Sequence, residues 1–359
     1  MKILHVITSM RIGGAEKLVS EIAPKLQAMG HQVDVLLFDG TDTAFKEVLK
    51  ENKIRIIEFS NGGFIYNPLY IFRLVPLLEK YDIIHTHNTA CQLFVAIASV
   101  LCSVVLITTE HNTSNRRRGW KWYKCIDRWM YGQYKSIICI SDTAERNLKQ
   151  YLGDCRTSVC TIYNGVNIYQ FTHALPSQSL KERTLGKKIA VMVAGFRYQK
   201  DQDTLIRAIK YLPEGKYELW LVGDGERRLL LEQLCRTEQV AESVRFLGIR
   251  NDIPEILKTA DFVIMSSHFE GLSLSSIEGM SSGKPFIASD VDGLHEITEG
   301  AGILFPHEDA KALAKIIVRL SIDENYYKET VSHCLQRAKE YDIQKTVEKY
   351  AHVYSSILE

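Results

Sequence analysis

Short runs of valine, isoleucine and leucine recur along this chain, each followed by a longer stretch with helical spacing of its apolar residues. A strand covered on both faces reads as a continuous hydrophobic run, so the alternation predicts parallel sheets with helices on either side. Strands are predicted at 3–8, 32–38, 54–59, 83–86, 104–109 and 136–140, with a first helix over 15–29. Over 172–188 the pattern fails: the stretch is polar and carries Pro176 and Gly186, which reads as a linker. Strand signals resume at 189–194, 217–222, 244–247, 261–265 and 285–288, and the tail 346–358 has an amphipathic helical pattern. The expected organisation is α/β: two Rossmann-like, doubly wound parallel-sheet domains in tandem, over 1–172 and 189–340, facing a central cleft. Residues 173–188 link them, and a helix within 341–359 crosses back to the first domain.

Composition narrows the classes. At 359 residues the chain exceeds one ordinary core. A content of 46% hydrophobic and 24% charged residues describes a globular protein, and a net charge of +1 gives no field for nucleic acid. The eight cysteines show no paired CxxC spacing, so neither a zinc ribbon nor a disulfide framework is expected, and a reducing cytoplasm fits. The apolar run before Ser9 is too short for a signal peptide. The most apolar window, 93–108, is broken by Ser99, Cys102 and Ser103 and falls short of the ~20 residues that span a bilayer; it reads as helix, turn and strand.

Chemistry concentrates where strands hand over to helices. Glu270 and Glu278 bracket a Gly271-Leu272-Ser273 turn into a serine-rich helix start. Free amides there suit a phosphate, and the carboxylates suit hydroxyls, so one ligand carrying both is expected. Glu278 has a second reading, a capping box with Ser275. Gly13 and Gly14 join the first strand to the first helix, either to admit a phosphate or to make a tight turn; the G-x-G-x-x-G of a dinucleotide site is absent. Arg197 and Lys200 stand three apart after the strand at 189–194, where they could grip a diphosphate. Gly223 and Gly225 flank Asp224 at a third such turn, where Asp224 could simply cap the next helix. Asp290 and Asp292 sit in a turn, where aspartates are ordinary, and are not read as metal ligands. His85, His87 and His111 end adjacent strands, either as core residues or facing a ligand crevice; their spacing gives no metal set. The basic, aromatic segment Arg116, Arg117, Arg118, Trp120, Lys121, Trp122 suits an anionic membrane surface, or else a solvated helix face with its tryptophans in the core.

Gly13-Gly14-Ala15-Glu16, the segment from Asp82 to Asn88, the segment from Ile162 to Asn167, Gln199-Lys200-Asp201, the segment from Gly223 to Glu226, the Glu270/Glu278 stretch and the segment from Gly293 to Glu296 together resemble glycosyltransferase family 4. These are retaining enzymes of the two-Rossmann GT-B fold, and the resemblance covers nearly the whole chain. It implies that Gly13, Gly14, Arg197, Lys200, Gly223, Glu270, Gly271, Leu272, Ser273 and Glu278 bind a nucleotide-sugar donor, Glu278 through the ribose. His111, Lys200 and Glu270 would be catalytic, and His87, Asn112 and Asn164 would lie on the acceptor side. Two positions depart from the family: Gly195 stands where it carries Arg, so Arg197 is expected to reach in instead, and Asn167 replaces its Asp.

The reaction expected is transfer of a sugar to a glycan or polyprenyl-linked acceptor in surface polysaccharide biosynthesis (capsule, exopolysaccharide or O-antigen). Negative charge grows on the departing diphosphate, and fixed cations with helix N-termini meet it with no metal and no cofactor. Partners are then the donor, the acceptor and an anionic membrane surface, with no nucleic acid, in a cytoplasmic protein held peripherally at the inner face of the plasma membrane. The alternatives are an epimerase or hydrolase acting on sugar nucleotides, or a non-catalytic subunit that binds them.

Overall fold

A computed structural model describes residues 1–11, 13–111, 120, 122–153, 157–184, 186–271 and 273–359. The chain divides into two compact units, Met1–Asn164 with Ile343–Glu359, and Gly165–Asp342.

In the first unit seven strands pair in parallel: β1 (Lys2–Ile7), β2 (Gln32–Leu37), β3 (Arg55–Glu58), β4 (Ile83–His87), β5 (Val105–Glu110), β6 (Ser136–Cys139) and β7 (Ser158–Thr161). Their spatial order is β3-β2-β1-β4-β5-β6-β7. Successive side chains of a strand point to opposite faces, so Ile3 and Ile7 enter one buried layer while Leu4 and Val6 enter the other. The helix Gly14–Ala28 covers the first layer with Leu18, Val19, Ile22 and Leu26. The C-terminal helix Ile343–Leu358 joins it there through Val347, Tyr350 and Tyr354, all fully covered.

The second unit repeats the plan with six parallel strands, β8 (Lys188–Val193), β9 (Tyr217–Val222), β10 (Val244–Gly248), β11 (Phe262–Met265), β12 (Phe286–Ser289) and β13 (Ile303–Phe305). The order is β10-β9-β8-β11-β12-β13. In each sheet the order reverses beside its first strand, between β1 and β4 and between β8 and β11. The predicted two-sheet α/β architecture is the one found, and the window 93–108 is the expected helix (Thr89–Ala98), turn (Ser99–Leu101) and strand β5.

Three segments differ from expectation. Residues 173–188 do not form a linker: they hold a helix, Gln178–Arg183, anchored by buried Leu180 in the second unit's core. One apolar residue fixes this helix while its polar neighbours face water, so composition alone masks it. The preceding helix Ile168–His173 is capped by Asn167, whose Oδ1 accepts from the Gln170 amide at 3.4 Å, a role that a neutral side chain fills. β7 and β13 were not predicted; β7 is a half-exposed sheet-edge strand without an apolar run, and β13 has three residues.

Two hydroxyls of the C-terminal helix end on the first sheet: Tyr354 Oη lies 2.6 Å from His85 Nδ1, and Tyr350 Oη 3.2 Å from Thr109 Oγ1. Substituting Tyr354→Phe leaves His85 Nδ1 unpaired in the core and should cost about 1–3 kcal/mol of folding stability. Urea unfolding checks it, and an unchanged midpoint would mean that the bond contributes nothing.

Candidate functional site

The C-terminal edge of the first sheet supplies one cluster. Asn88, directly after β4, holds the unusual pair φ 68°, ψ 147° at the start of the helix Thr89–Ala98. Its Nδ2 donates to Glu16 Oε1 at 3.2 Å, so two helix starts are tied together. A non-glycine residue held in so sparse a region of backbone space is a common mark of a functional site. A cavity of about 220 Å³ opens here, lined by Gly14, Glu16, Asn88, His111, Ile140 and Asn164. Gly14 has free space around its α-carbon, whereas a Cβ on Gly13 would strike the Glu16 carboxylate. The predicted residues Gly14, His111 and Asn164 are therefore neighbours on one cavity, and Gly13 sits at its edge.

Behind the cavity lies a row of imidazoles. His87 Nδ1 stands 3.0 Å from His111 Nε2, and His87 Nε2 stands 3.1 Å from His5 Nδ1. His85 stacks on His87 at 4.4 Å between ring centroids, but its own nitrogens face Tyr354 Oη and Thr109 Oγ1. His5 was missed in the sequence; the signal was the parallel register of β1 with β4, which sets His5 opposite His85. Burial holds all four rings neutral: the pKa of His5 falls to about 3, that of His111 to about 4, and those of His85 and His87 drop well below the usual value. Nitrogens of His5, His85 and His87 lie within 4.8 Å of one another, as a metal set could. Their rings are stacked, though, and the nitrogens are engaged in pairs rather than aimed at a common centre.

The second unit builds a second cluster where β8 and β11 end. After β8 the chain makes a short turn, Tyr198–Lys200, and Asp201 caps the helix Gln202–Ile209 from the left-handed region at φ 32°. Buried Asp201 accepts from Ser266 Oγ at 2.8 Å, while Gln199 takes the His268 amide at 2.9 Å and gives its Nε2 to the Phe269 carbonyl at 3.0 Å. These bonds zip the two loops together and bring Lys200 Nζ onto Glu270 Oε2 as a largely covered ion pair. Ser267 Oγ adds a 3.3 Å bond to the same carboxylate oxygen. Arg197 is exposed, and no side-chain partner for it is found among the described residues. Gly293, at φ 84°, backs the Glu270 loop; a Cβ there would collide with the Glu270 and Gly271 carbonyls. Gly223, at φ 132°, is as tightly set against the Ala194 carbonyl. In both places glycine lets backbone approach backbone.

Glu278 is buried on the helix Leu274–Ser281, whose cap is Ser273. Ser275 thus lies inside the helix, and the capping-box reading of Glu278 does not hold. Asp224 does not cap a helix either: its Oδ1 accepts from the Gly225 amide at 2.7 Å and closes the turn, while the following helix Arg228–Thr237 starts from Arg227. Asp290 pairs with His295 at 2.6 Å. A group absent from the sequence reading is Asp201, His268 and His307, whose ligand-type atoms come within 4.8 Å of one another. His268 directs Nδ1 at His307 (2.9 Å) and Nε2 towards Asp201 (4.0 Å), and their wide separation along the chain gave no spacing to read. Asn112, Arg116, Arg117, Arg118, Lys121 and Leu272 lie outside the described residues. Trp120 and Trp122 are exposed and stack at 5.9 Å, so the alternative that buries them in the core is overturned.

Two parallel sheets, each with a polar cluster at its switch point, fit the GT-B fold, and the comparisons with known proteins identify the class as glycosyltransferase. Residues 12–170 match Glycosyltransferase Family 4 and residues 187–323 match Glycosyl transferases group 1. The chain is 31% identical over 264 residues to the UDP-Gal:α-D-GlcNAc-diphosphoundecaprenol α-1,3-galactosyltransferase of Escherichia coli, covering 68% of each. An uncharacterized glycosyltransferase of Methanocaldococcus jannaschii is 27% identical over 307 residues, 80% of this chain and 79% of that one. The crystal structure of Anabaena HepE in complex with UDP superposes with a TM-score of 0.82 at 25% identity, over 99% of this chain and 100% of that one. The protein belongs to glycosyltransferase family 4.

The buried histidines set a pH dependence. Their folded pKa values lie below the unfolded value near 6.5, so on acidification the unfolded chain takes up protons that the folded chain refuses. Stability should be level above pH 7 and fall as pH drops from 6.5 towards 4, by roughly 1.4 kcal/mol per pH unit for each such histidine. Urea midpoints at pH 7.5, 6.5 and 5.5 check this; equal midpoints at 7.5 and 5.5 would refute it.

Proposed function

We propose that this glycosyltransferase is a retaining enzyme that takes a hexose from a UDP-linked donor. It delivers the hexose to a glycan on a polyprenyl diphosphate during synthesis of a surface polysaccharide. The observation that carries the reading is the Lys200–Glu270 pair where β8 and β11 end, with exposed Arg197 three residues before Lys200 and Glu278 buried on the next helix. The choice of UDP is supported by HepE, solved with UDP and with UDP-glucose, and by the donor in the name of the E. coli enzyme. The diphosphoundecaprenol in that name supports the lipid-linked acceptor.

In this reading Lys200 and Arg197 take the diphosphate, with the amides of Gly271, Leu272 and Ser273 at the start of the helix Leu274–Ser281. Glu270, released by Lys200, accepts hydroxyls of the sugar, and Glu278 accepts those of the ribose. Gly223 lets the backbone approach, and in the first unit the start of the helix Gly14–Ala28, at Gly13 and Gly14, suits a phosphate. His111 stands at the reacting carbon, with His87, Asn112 and Asn164 on the acceptor side. Charge builds on the departing UDP, where fixed cations stabilise it without needing a metal. The acceptor attacks on the face that UDP leaves, and the leaving phosphate takes its proton. Retention therefore needs no pair of carboxylates at glycosidase spacing.

Thermal shift across UDP-, GDP- and ADP-sugars should give the largest rise with a UDP-hexose. Lys200→Ala should lower kcat by about a hundredfold or more, because one preorganised donor to the leaving group is lost. No stabilisation by any UDP compound, or full activity in the Lys200 variant, would overturn the proposal.

A peripheral position on an anionic membrane belongs to the same reading. It is supported by exposed Trp120 and Trp122, by exposed Ile126 and Trp129 on the helix Tyr123–Gly132, and by the arginines at 116–118 in the sequence. Among the described residues no helix is long and apolar enough to cross a membrane. Flotation with anionic liposomes should carry the protein upward, and replacing Arg116, Arg117, Arg118 and Lys121 by Gln should abolish it. Unchanged flotation of that variant would remove this part.

A further inference from the structure

Three loops of the second unit meet next to Lys200 and Glu270: Asp201 follows β8, His268 follows β11, and His307 and Glu308 follow β13. His268 is the centre of the group. Its side chain is mostly covered, and its ring packs on Tyr198 at 4.5 Å between centroids, so its direction is fixed. Nδ1 stands 2.9 Å from His307 Nε2 and 3.4 Å from Glu308 Oε1. Nε2 faces the buried carboxylate of Asp201, with Oδ1 at 4.0 Å. Asp201 is itself held by the Ser266 hydroxyl at 2.8 Å and the Thr204 amide at 3.3 Å. The turn after β13 is set as firmly. Asp309 caps the helix Ala310–Ile322 by accepting from the Ala312 amide at 2.9 Å, and Glu308, though not a glycine, occupies the left-handed region at φ 61°.

Two imidazole nitrogens and a carboxylate oxygen at this spacing fit a cation. Zinc binds imidazole and carboxylate at about 2.0–2.2 Å, so neighbouring ligand atoms of a tetrahedral site stand roughly 3.3 Å apart. The separations around His268 Nδ1, 2.9 and 3.4 Å, lie on either side of that value. A metal-bound histidine also usually gives its other ring N–H to a carboxylate, which fixes the ring and raises the basicity of the ligating nitrogen. Asp201 stands on that side of His268. We infer that His268 Nδ1, His307 Nε2 and Glu308 Oε1 form a site for a divalent cation of the zinc class, with Asp201 as its positioning residue. Three protein ligands leave a fourth position for water, and exposed His307 and Glu308 give the ion an open path in. Imidazole ligands select against magnesium, which takes oxygen in octahedral geometry. None of the three ligands is assigned to the donor. The ion acts as a staple, tying the loop that carries Glu270 to the turn after β13.

Calorimetric titration and thermal shift of the full chain, stripped with a chelator and free of sugar nucleotide, test the site with zinc chloride and with magnesium chloride. Zinc should bind and raise the melting temperature, and magnesium should do neither. No effect of zinc would mean that hydrogen bonds alone hold these side chains, and would overturn the inference. The chain has eleven histidines, so variants must locate the ion. His307→Gln removes an exposed ligand at little risk to folding and should abolish the rise. A response equal to that of the wild type would place the zinc elsewhere and overturn the inference. Asp201→Asn keeps an oxygen to cap its helix and should weaken zinc binding by about ten- to a hundredfold. Unchanged affinity there would overturn the positioning role of Asp201; if the Asn form does not fold, His307→Gln still decides the site. Cobalt gives a signature that simple stabilisation would not: the wild type should show the visible absorption of four-coordinate cobalt(II), and Glu308→Gln should weaken it. The same spectrum in His307→Gln would again overturn the inference. No readout uses activity, so failure here leaves the transferase reading untouched.

Discussion

Both clusters follow from one topological constraint, the reversal of strand order beside the first strand of each sheet. On either side of a reversal the connecting helices leave on opposite faces, so the loops after β1 and β4, or after β8 and β11, part and leave a crevice at the strand ends. Helices that begin there have amides without intrahelical partners. A polar group placed in such a crevice must be paired by a neighbour or by a ligand, because water reaches it poorly. In the first unit this demand produces the histidine row and the Asn88–Glu16 bond; in the second it produces the Lys200–Glu270 pair with its zipped loops.

The C-terminal helix shows how far the same demand extends. Threonine and histidine side chains on the first sheet need partners on the face that the helix covers, and an apolar helix there would strand them. Tyr350 and Tyr354 give aromatic area to the core and a hydroxyl to the sheet at once. Folding of the last sixteen or so residues thus reaches the imidazoles behind the cavity, because Tyr354 holds His85 and His85 stacks on His87. A change distant in sequence from the strand ends can alter them by this route.

Much of this was legible in the sequence, and the failures have identifiable causes. Buried parallel strands announce themselves by apolar runs, which is why β1, β2, β4, β5, β8, β9 and β11 were found; β7 and β13 were missed because one is a half-exposed edge and the other a stub. Turn glycines at 223 and 293 were read as motif members, but their reason is steric and needs the opposing carbonyls to be visible. Residue types suggested a phosphate for Lys200 and hydroxyls for Glu270, and the resemblance suggested a place beside the sugar for His111, but neither showed that Lys200 and Glu270 are each other's partner. His5 and the Asp201, His268 and His307 group depend on contacts between segments far apart in the chain, and nothing local encodes them.

The two cations after β8 stand in different states, and on the proposed function the difference matters. Arg197 is exposed and, among the described residues, without a side-chain partner, so it can meet a diphosphate with little rearrangement, and its planar fork suits two oxygens. Lys200 is largely covered and already neutralised by Glu270, so it moves to phosphate only if Glu270 finds a substitute for the lost charge. On the proposed function sugar hydroxyls are that substitute, since they would hydrogen-bond the freed carboxylate as the diphosphate takes the ammonium. A nucleotide without its sugar would draw Lys200 away and leave Glu270 short of partners, since Ser267 Oγ and Gln199 Nε2 offer it bonds of only 3.3 and 3.4 Å. On the proposed function the pair would therefore favour the complete sugar nucleotide over the bare one, which suits an enzyme that must hold its donor and let go of its spent product.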